Sequence, residues 1–331
     1  MLSNTHFSNL IKISLLLFLL FFMSPKTTFA DDFQIASDGK LTAYTGPGGD
    51  ITLPEGISEV GDTVFLKNET ITSVTIQEGC LSIGKGAFDG CSNLTNISLP
   101  YSLEKIEPLA FARCKNLRQC YLPPNITTID SFAFRECHAL TTIEIPAKTS
   151  VIGIGCFCYC DHLENFYVNP NNTHFQALDG VLFSSDMYEL IQYPCGNRAS
   201  SYAVPDGVKI IKRNAFTHSL SLKEVRLSDT VTTLESFAFS SCTLLSEISL
   251  PASLETVSEY AFKNASNLCK VYVYNDDINV DCKAFAGDLS VILYGNLYSS
   301  IENYARKYDL CFATLDRKAT YIRPEKNWVL A

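Results

Sequence analysis

One stretch of this chain gathers side chains that bind metals: Cys156-Phe157-Cys158-Tyr159-Cys160-Asp161-His162. Thiolate, imidazole and carboxylate are ligands for zinc, but structural zinc sites are built on paired C-x2-C spacings, and this stretch has none. Beyond residue 30 the chain holds only four histidines, His138, His162, His174 and His218. No G-x-S-x-G elbow, H-E-x-x-H helix, G-x-G-x-x-G turn or Walker-type loop occurs. With no nucleophile set beside a base, no catalytic residue, metal or cofactor is expected. Lys and Arg number 26 against 35 Asp and Glu, for a net charge of −9. Clamping a phosphate backbone takes a basic stripe, so nucleic acid is not expected as a partner.

What positions these residues is a repeat. Phe65, Phe88, Phe111, Phe134 and Phe157 follow one another at intervals of 23, and after a gap of 59 so do Phe216, Phe239, Phe262 and Phe285. An aliphatic stands five residues before each Phe (Val60, Ile83, Ile106, Ile129, Ile152, Ile211, Leu234, Val257, Val280). A small residue, usually Ala, directly precedes it. Pairs such as Ile97/Leu99, Ile143/Ile145 and Ile248/Leu250 follow it, closed by Pro100, Pro146 and Pro251. Aliphatics at spacing two that end in Pro describe a short strand with one buried face. The aliphatic–x4–Phe block with its Ala reads as a helical turn or short helix packed back on that strand. A unit of 23 residues cannot bury a core alone, but stacked units can.

The unit CSNLTNISLPYSLEKIEPLAFARC resembles the BspA-like leucine-rich repeat family, over about residues 50–294. The resemblance implies an α/β repeat: a right-handed curved leucine-rich repeat solenoid with a parallel sheet on its concave face. It further implies a secreted or surface-displayed protein associated with adhesion or host contact, generally without catalytic activity.

The domain reading follows: residues 1–30 a signal peptide, 31–49 an N-terminal cap, 50–294 the solenoid, 295–315 a C-terminal cap and 316–331 a flexible tail. The leader carries Lys12, the apolar run Ile13–Met23, and small residues at Thr28 and Ala30 before a cleavage point. That run is too short to span a bilayer, so no membrane span is expected once it is cleaved. The cap rests on Ser299 with Glu302, a capping box, and on Ile301, Tyr304, Ala305 and Tyr308 along one helix face. The long gap between Phe157 and Phe216 places an insertion at about 169–201, where Asp179-Gly180 favours a tight turn. An antiparallel hairpin projecting from the solenoid is expected there.

Cys91, Cys114, Cys137, Cys160 and Cys242 share one column, three after the Phe. Successive rungs lie about 5 Å apart with parallel side chains, unlike the convergent geometry of a disulfide, so a reduced ladder of buried thiols is expected. Asn68, Asn93, Asn96, Asn125, Asn171 and Asn264 fit the N-x-[ST] pattern.

Strand alternation sends the aliphatics inward and their neighbours to the concave face. The outward columns place Gln119, Tyr121, Glu144, Asn165, Tyr167, Arg226 and Tyr272 there, aromatic and Arg types that anchor protein interfaces. The function expected is a non-catalytic binding module for an extracellular protein or glycan, acting through that face. A structural cell-envelope protein without a discrete ligand is the alternative, and an enzyme the least supported.

Overall fold

The computed structural model describes residues 30–287, 290–316, 319–322 and 327–330. The signal peptide expected at residues 1–30 lies almost wholly outside the described residues. The chain winds as a solenoid whose rungs build two faces of mostly parallel strands. Longer strands such as Ile71–Thr75, Thr142–Ile145 and Glu247–Leu250 carry the paired aliphatics. Two-residue strands such as Ser82–Ile83, Lys105–Ile106 and Thr256–Val257 carry the aliphatic five before the Phe. Register follows the repeat: Ile143 pairs with Phe166 and Val225 with Ile248, one period apart. Between the sheets the Phe column forms continuous stacks, with centroids 4.8–5.5 Å apart from Phe65 to Phe157 and from Phe216 to Phe285.

The helical turn expected around each Phe is a different device. The residues two before and two after the Phe are left-handed, as at Leu109 and Arg113 (φ 61° and 59°) and at Phe237 and Ser241 (φ 62° and 59°). Left-handed residues at every fourth position break an α-helix. They also turn alternate N–H groups toward the neighbouring rung. Leu109, Phe111 and Arg113 donate to the carbonyls of Ser131, Ala133 and Arg135 at 3.1, 2.8 and 2.7 Å. The block is a second hydrogen-bonded ladder between rungs, and the repeat unit is β-strand and turn. The described α-helix sits near the C-terminus.

That helix, Ser300–Tyr308, is capped by Ser299, which accepts from the Glu302 N–H, while Glu302 reaches back to the Tyr298 N–H. Its buried Ile301, Tyr304 and Ala305 close the last rung, and the Tyr304 hydroxyl donates to the Asp281 carbonyl at 3.1 Å. At the other end, Phe33–Ile35 and Lys40–Tyr44 pair antiparallel, and Tyr44 caps the Phe stack at 5.2 Å from Phe65. The segment expected as a flexible tail contains two strands, Ala319–Ile322 and Asn327–Leu330, in antiparallel register. In that register Thr320 stands opposite Val329 and Tyr321 opposite Trp328, residue types common in strands.

The insertion differs most from expectation. It forms a three-stranded antiparallel meander, Phe175–Leu178, Val181–Ser184 and Glu189–Gln192, turning first at Asp179-Gly180. It does not project. Its middle strand is buried on both faces: Leu182 packs into the core of the first half, Val181 and Phe183 into that of the second. A run of three apolar residues without alternation is the signature of a strand covered on both sides. The last strand then resumes the solenoid by pairing in parallel with Ile210–Ile211. The meander is therefore a septum between two hydrophobic cores.

Candidate functional site

The Cys column is occupied by packing. Each of its thiols donates to the Phe carbonyl of the preceding rung: Cys91 to Phe65 at 3.0 Å, Cys114 to Phe88 at 3.2 Å, Cys137 to Phe111 and Cys160 to Phe134 at 3.1 Å, Cys242 to Phe216 at 3.0 Å. Burial pushes Cys91 and Cys242 up to about 12, and Cys114, Cys137 and Cys160 far above the ordinary thiol. A thiol held neutral and spent as a donor is neither a nucleophile nor a metal ligand. All thirteen cysteines are free. Beside the metal-like stretch, Asp161 lies between His138 Nδ1 at 2.8 Å and His218 Nε2 at 3.1 Å. Among the described residues no group of three or more His, Cys, Asp or Glu is arranged to hold a metal ion.

Four of the seven residues singled out on the outward strand face come together. Gln119, Tyr121, Glu144 and Tyr167 line one pocket of about 160 Å³ with Cys120, Leu122 and Thr142. The Tyr121 hydroxyl donates to Gln119 Oε1 at 3.0 Å, and the Tyr121 ring stands 78% exposed. The sheet is interrupted here. One run of longer strands ends at Asn96–Ser98 and the next begins at Thr142–Ile145, so residues 118–122 form no strand. Their inward position holds Cys120, smaller than the Val74, Ile97, Ile143 and Phe166 that fill the same slot on other rungs.

The other three residues lie apart. Asn165 lines an open groove with Glu164, Asn197 and Arg198, its side chain lying against Gly180 of the meander turn. Arg226 lines a pocket of about 410 Å³ among Glu224, Glu247, Asp229 and Tyr274. Tyr272 stacks on Tyr294 at 4.7 Å.

The sequence reading missed a larger pocket, of about 480 Å³, where the insertion meets the first half. Ile152, Ile154, Phe175 and Ile191 give it apolar walls, with Gly155, Phe157, Gln192, Glu189, Lys212, Arg213 and Glu235 beside them. Lys212 Nζ bridges Glu189 at 3.2 Å and Glu235 at 3.0 Å. Burial pulls its pKa down, but the bonds to the two carboxylates outweigh this and raise it. A signal existed: Tyr193 stands 23 residues before Phe216, takes the Phe position there and stacks on Phe216 at 5.2 Å.

The description "BspA type Leucine rich repeat region" matches this chain in six copies, over residues 49–179 and 193–310. The break between the two stretches falls on the meander. The pneumococcal vaccine antigen PcpA is similar in structure, with a TM-score of 0.66 at 22% identity over 83% of this chain and 81% of that one. A leucine-rich repeat protein from Eubacterium ventriosum gives 0.60 at 21% identity over 80% and 77%. A leucine rich cell surface protein from Faecalibacterium prausnitzii gives 0.56 at 24% identity over 87% and 94%. Among curated proteins none matches the chain. No helix among the described residues is long and apolar enough to cross a membrane. A match over well more than half the residues, on a solenoid whose rungs follow its period, makes this chain a member of the BspA-type leucine-rich repeat family.

Proposed function

We propose that the protein is a secreted or surface-associated, non-catalytic binding module that takes an extracellular protein or glycan on its face of longer strands, in adhesion or cell-surface contact. The observation that carries this is the pocket where the sheet is interrupted, with Tyr121 and Tyr167 exposed beside Gln119 and Glu144. Two aromatic faces with neighbouring acceptors suit a sugar ring or the rim of a protein hot spot. The leader sequence and the surface location named for the F. prausnitzii protein support export.

The test is a glycan array and a panel of purified matrix and cell-surface proteins, probed with wild type and with Tyr121→Ala/Tyr167→Ala. A hit that the double variant loses by about fivefold or more, roughly 1 kcal/mol, with thermal unfolding unchanged, supports the assignment. A partner bound equally by both proteins refutes it.

A further inference from the structure

The pocket beside the meander has a property beyond its shape. Along the solenoid the Phe N–H donates to the next rung: Phe65 to Ala87, Phe88 to Ala110, Phe111 to Ala133, Phe134 to Cys156, and onward through Tyr193, Phe216, Phe239 and Phe262, all at 2.7–2.9 Å. The residue two before it does the same, from Thr63 to Tyr260, at 2.9–3.3 Å. Phe157 and Gly155 break both series. Neither N–H has an acceptor among the described residues. The third donor of that rung, the Tyr159 N–H, faces the sulfur of Cys195. Val151–Ile152 ends its sheet, so the side of Ile152 turned to the meander has no partner strand. Ile152, Gly155 and Phe157 all line the pocket.

We infer that this pocket binds a short extended peptide, which adds to the unpaired edge of residues 152–157, its donors buried at the pocket floor, as the missing rung would. The chemistry selects a peptide backbone. Two donors on alternate residues face one way, and an extended chain presents carbonyls to one side at that same alternation. Strand addition of this kind takes its affinity from main-chain bonds and its specificity from pockets for alternate side chains. Here those pockets are apolar, formed by Ile152, Ile154, Phe175 and Ile191. The charged wall does not select: Glu189 and Glu235 are offset by Lys212 and Arg213. The volume, about 480 Å³, suits a segment of a few residues. The occupant is therefore an uncharged extended segment with apolar side chains at alternate positions. This goes beyond the proposed function, because the pocket adjoins the short-strand sheet and shares no lining residue with the Tyr121 pocket.

The probe is the peptide acetyl-Val-Ser-Val-Ser-Val-amide, added to the purified protein, with amide exchange followed by NMR or mass spectrometry. In free protein the Gly155 and Phe157 amides exchange faster than their counterparts Phe132 and Phe134. Saturating peptide slows them at least tenfold. A peptide N-methylated at its central residues binds at least tenfold more weakly. Ile154→Lys, a change at a residue 46% exposed and so tolerable to the fold, abolishes the protection, while Tyr121→Ala/Tyr167→Ala leaves it intact. Unchanged exchange at Gly155 and Phe157 under saturating peptide overturns the inference. So does equal binding of the N-methylated peptide.

Discussion

The boundary between the Phe134 and Phe157 rungs and the one that follows it show two ways of joining rungs. At the first, Phe132, Phe134 and Glu136 donate to Ile154, Cys156 and Cys158 at 2.9–3.0 Å, and the two Phe rings stack at 5.5 Å. Backbone bonds do the joining, backed by the same Phe and Cys columns that recur on other rungs. At the second, the ladder stops, Phe157 meets Phe166 edge-on at 5.3 Å, and side chains take over. Cys195 lies beside Tyr159, His218 reaches Asp161, and the Val181–Ser184 strand fills the interior. A solenoid tolerates an insertion, then, by exchanging a generic backbone contact for specific packing. The seam depends on individual residues where the regular boundary relies on recurring ones.

The sharpest way to break that comparison is at the septum. Leu182 and Phe183 are neighbours, both 0% exposed, yet they serve different cores. Leu182→Ala is expected to cost about 2–5 kcal/mol and Phe183→Ala about 3–5 kcal/mol, from lost burial and the cavities left. Hydrogen exchange discriminates them. Leu182→Ala raises exchange chiefly in the rungs of Phe65 to Phe157, and Phe183→Ala in those of Tyr193 to Phe285. If both variants loosen the same half, the septum does not divide the cores.

The repeat, its period and the inward columns were legible in the sequence because Phe, Ala and Leu recur at fixed offsets for a simple reason, side-chain burial. The turn ladder was not. Leu109, Phe132, Phe237 and Tyr260 stand left-handed where glycine would be expected, and only Gly86 and Gly155 advertise that position. The conformation is imposed by hydrogen bonds to the next rung, which composition does not reveal. The septum was half legible. Asp179-Gly180 marked the turn, but Val181-Leu182-Phe183 projects in the absence of a partner and is buried in its presence. Of the candidate site, the grouping of Gln119, Tyr121, Glu144 and Tyr167 follows from strand alternation. The interruption of the sheet that makes it a pocket does not.

At the regular boundaries the Cys column sharpens the comparison at a smaller scale. Cys114 and Cys120 are both buried, but only Cys114 donates to a carbonyl among the described residues. Cys114→Ala removes one of two donors to the Phe88 oxygen, which keeps the Cys91 N–H at 3.1 Å, and is expected to cost about 0.5–1.5 kcal/mol more than Cys120→Ala, measured by denaturant unfolding. Equal losses would make the thiols mere space-fillers.

The smallest effect belongs to the His218 contact across the seam. Burial lowers its pKa from the ordinary histidine value, and Asp161 at 3.1 Å pulls the other way without overcoming it. The groups facing it are Asp161, His138, Glu136 and the ring of Tyr159 at 4.8 Å. Because the folded pKa lies below the unfolded one, the unfolded chain takes up this proton first as pH falls. The stability His218 contributes is therefore whole above about pH 6.5 and drains away as pH falls through the folded pKa. Wild-type Tm should decline more steeply between pH 7 and 5 than that of His218→Gln, which keeps a polar side chain there but does not titrate. A regular-boundary control, Lys115→Gln, should leave the wild-type slope untouched, since Lys115 is exposed and lies away from the seam. Parallel Tm profiles for wild type and His218→Gln would mean that the Asp161 contact cancels burial in full and that the imidazole proton is not coupled to folding.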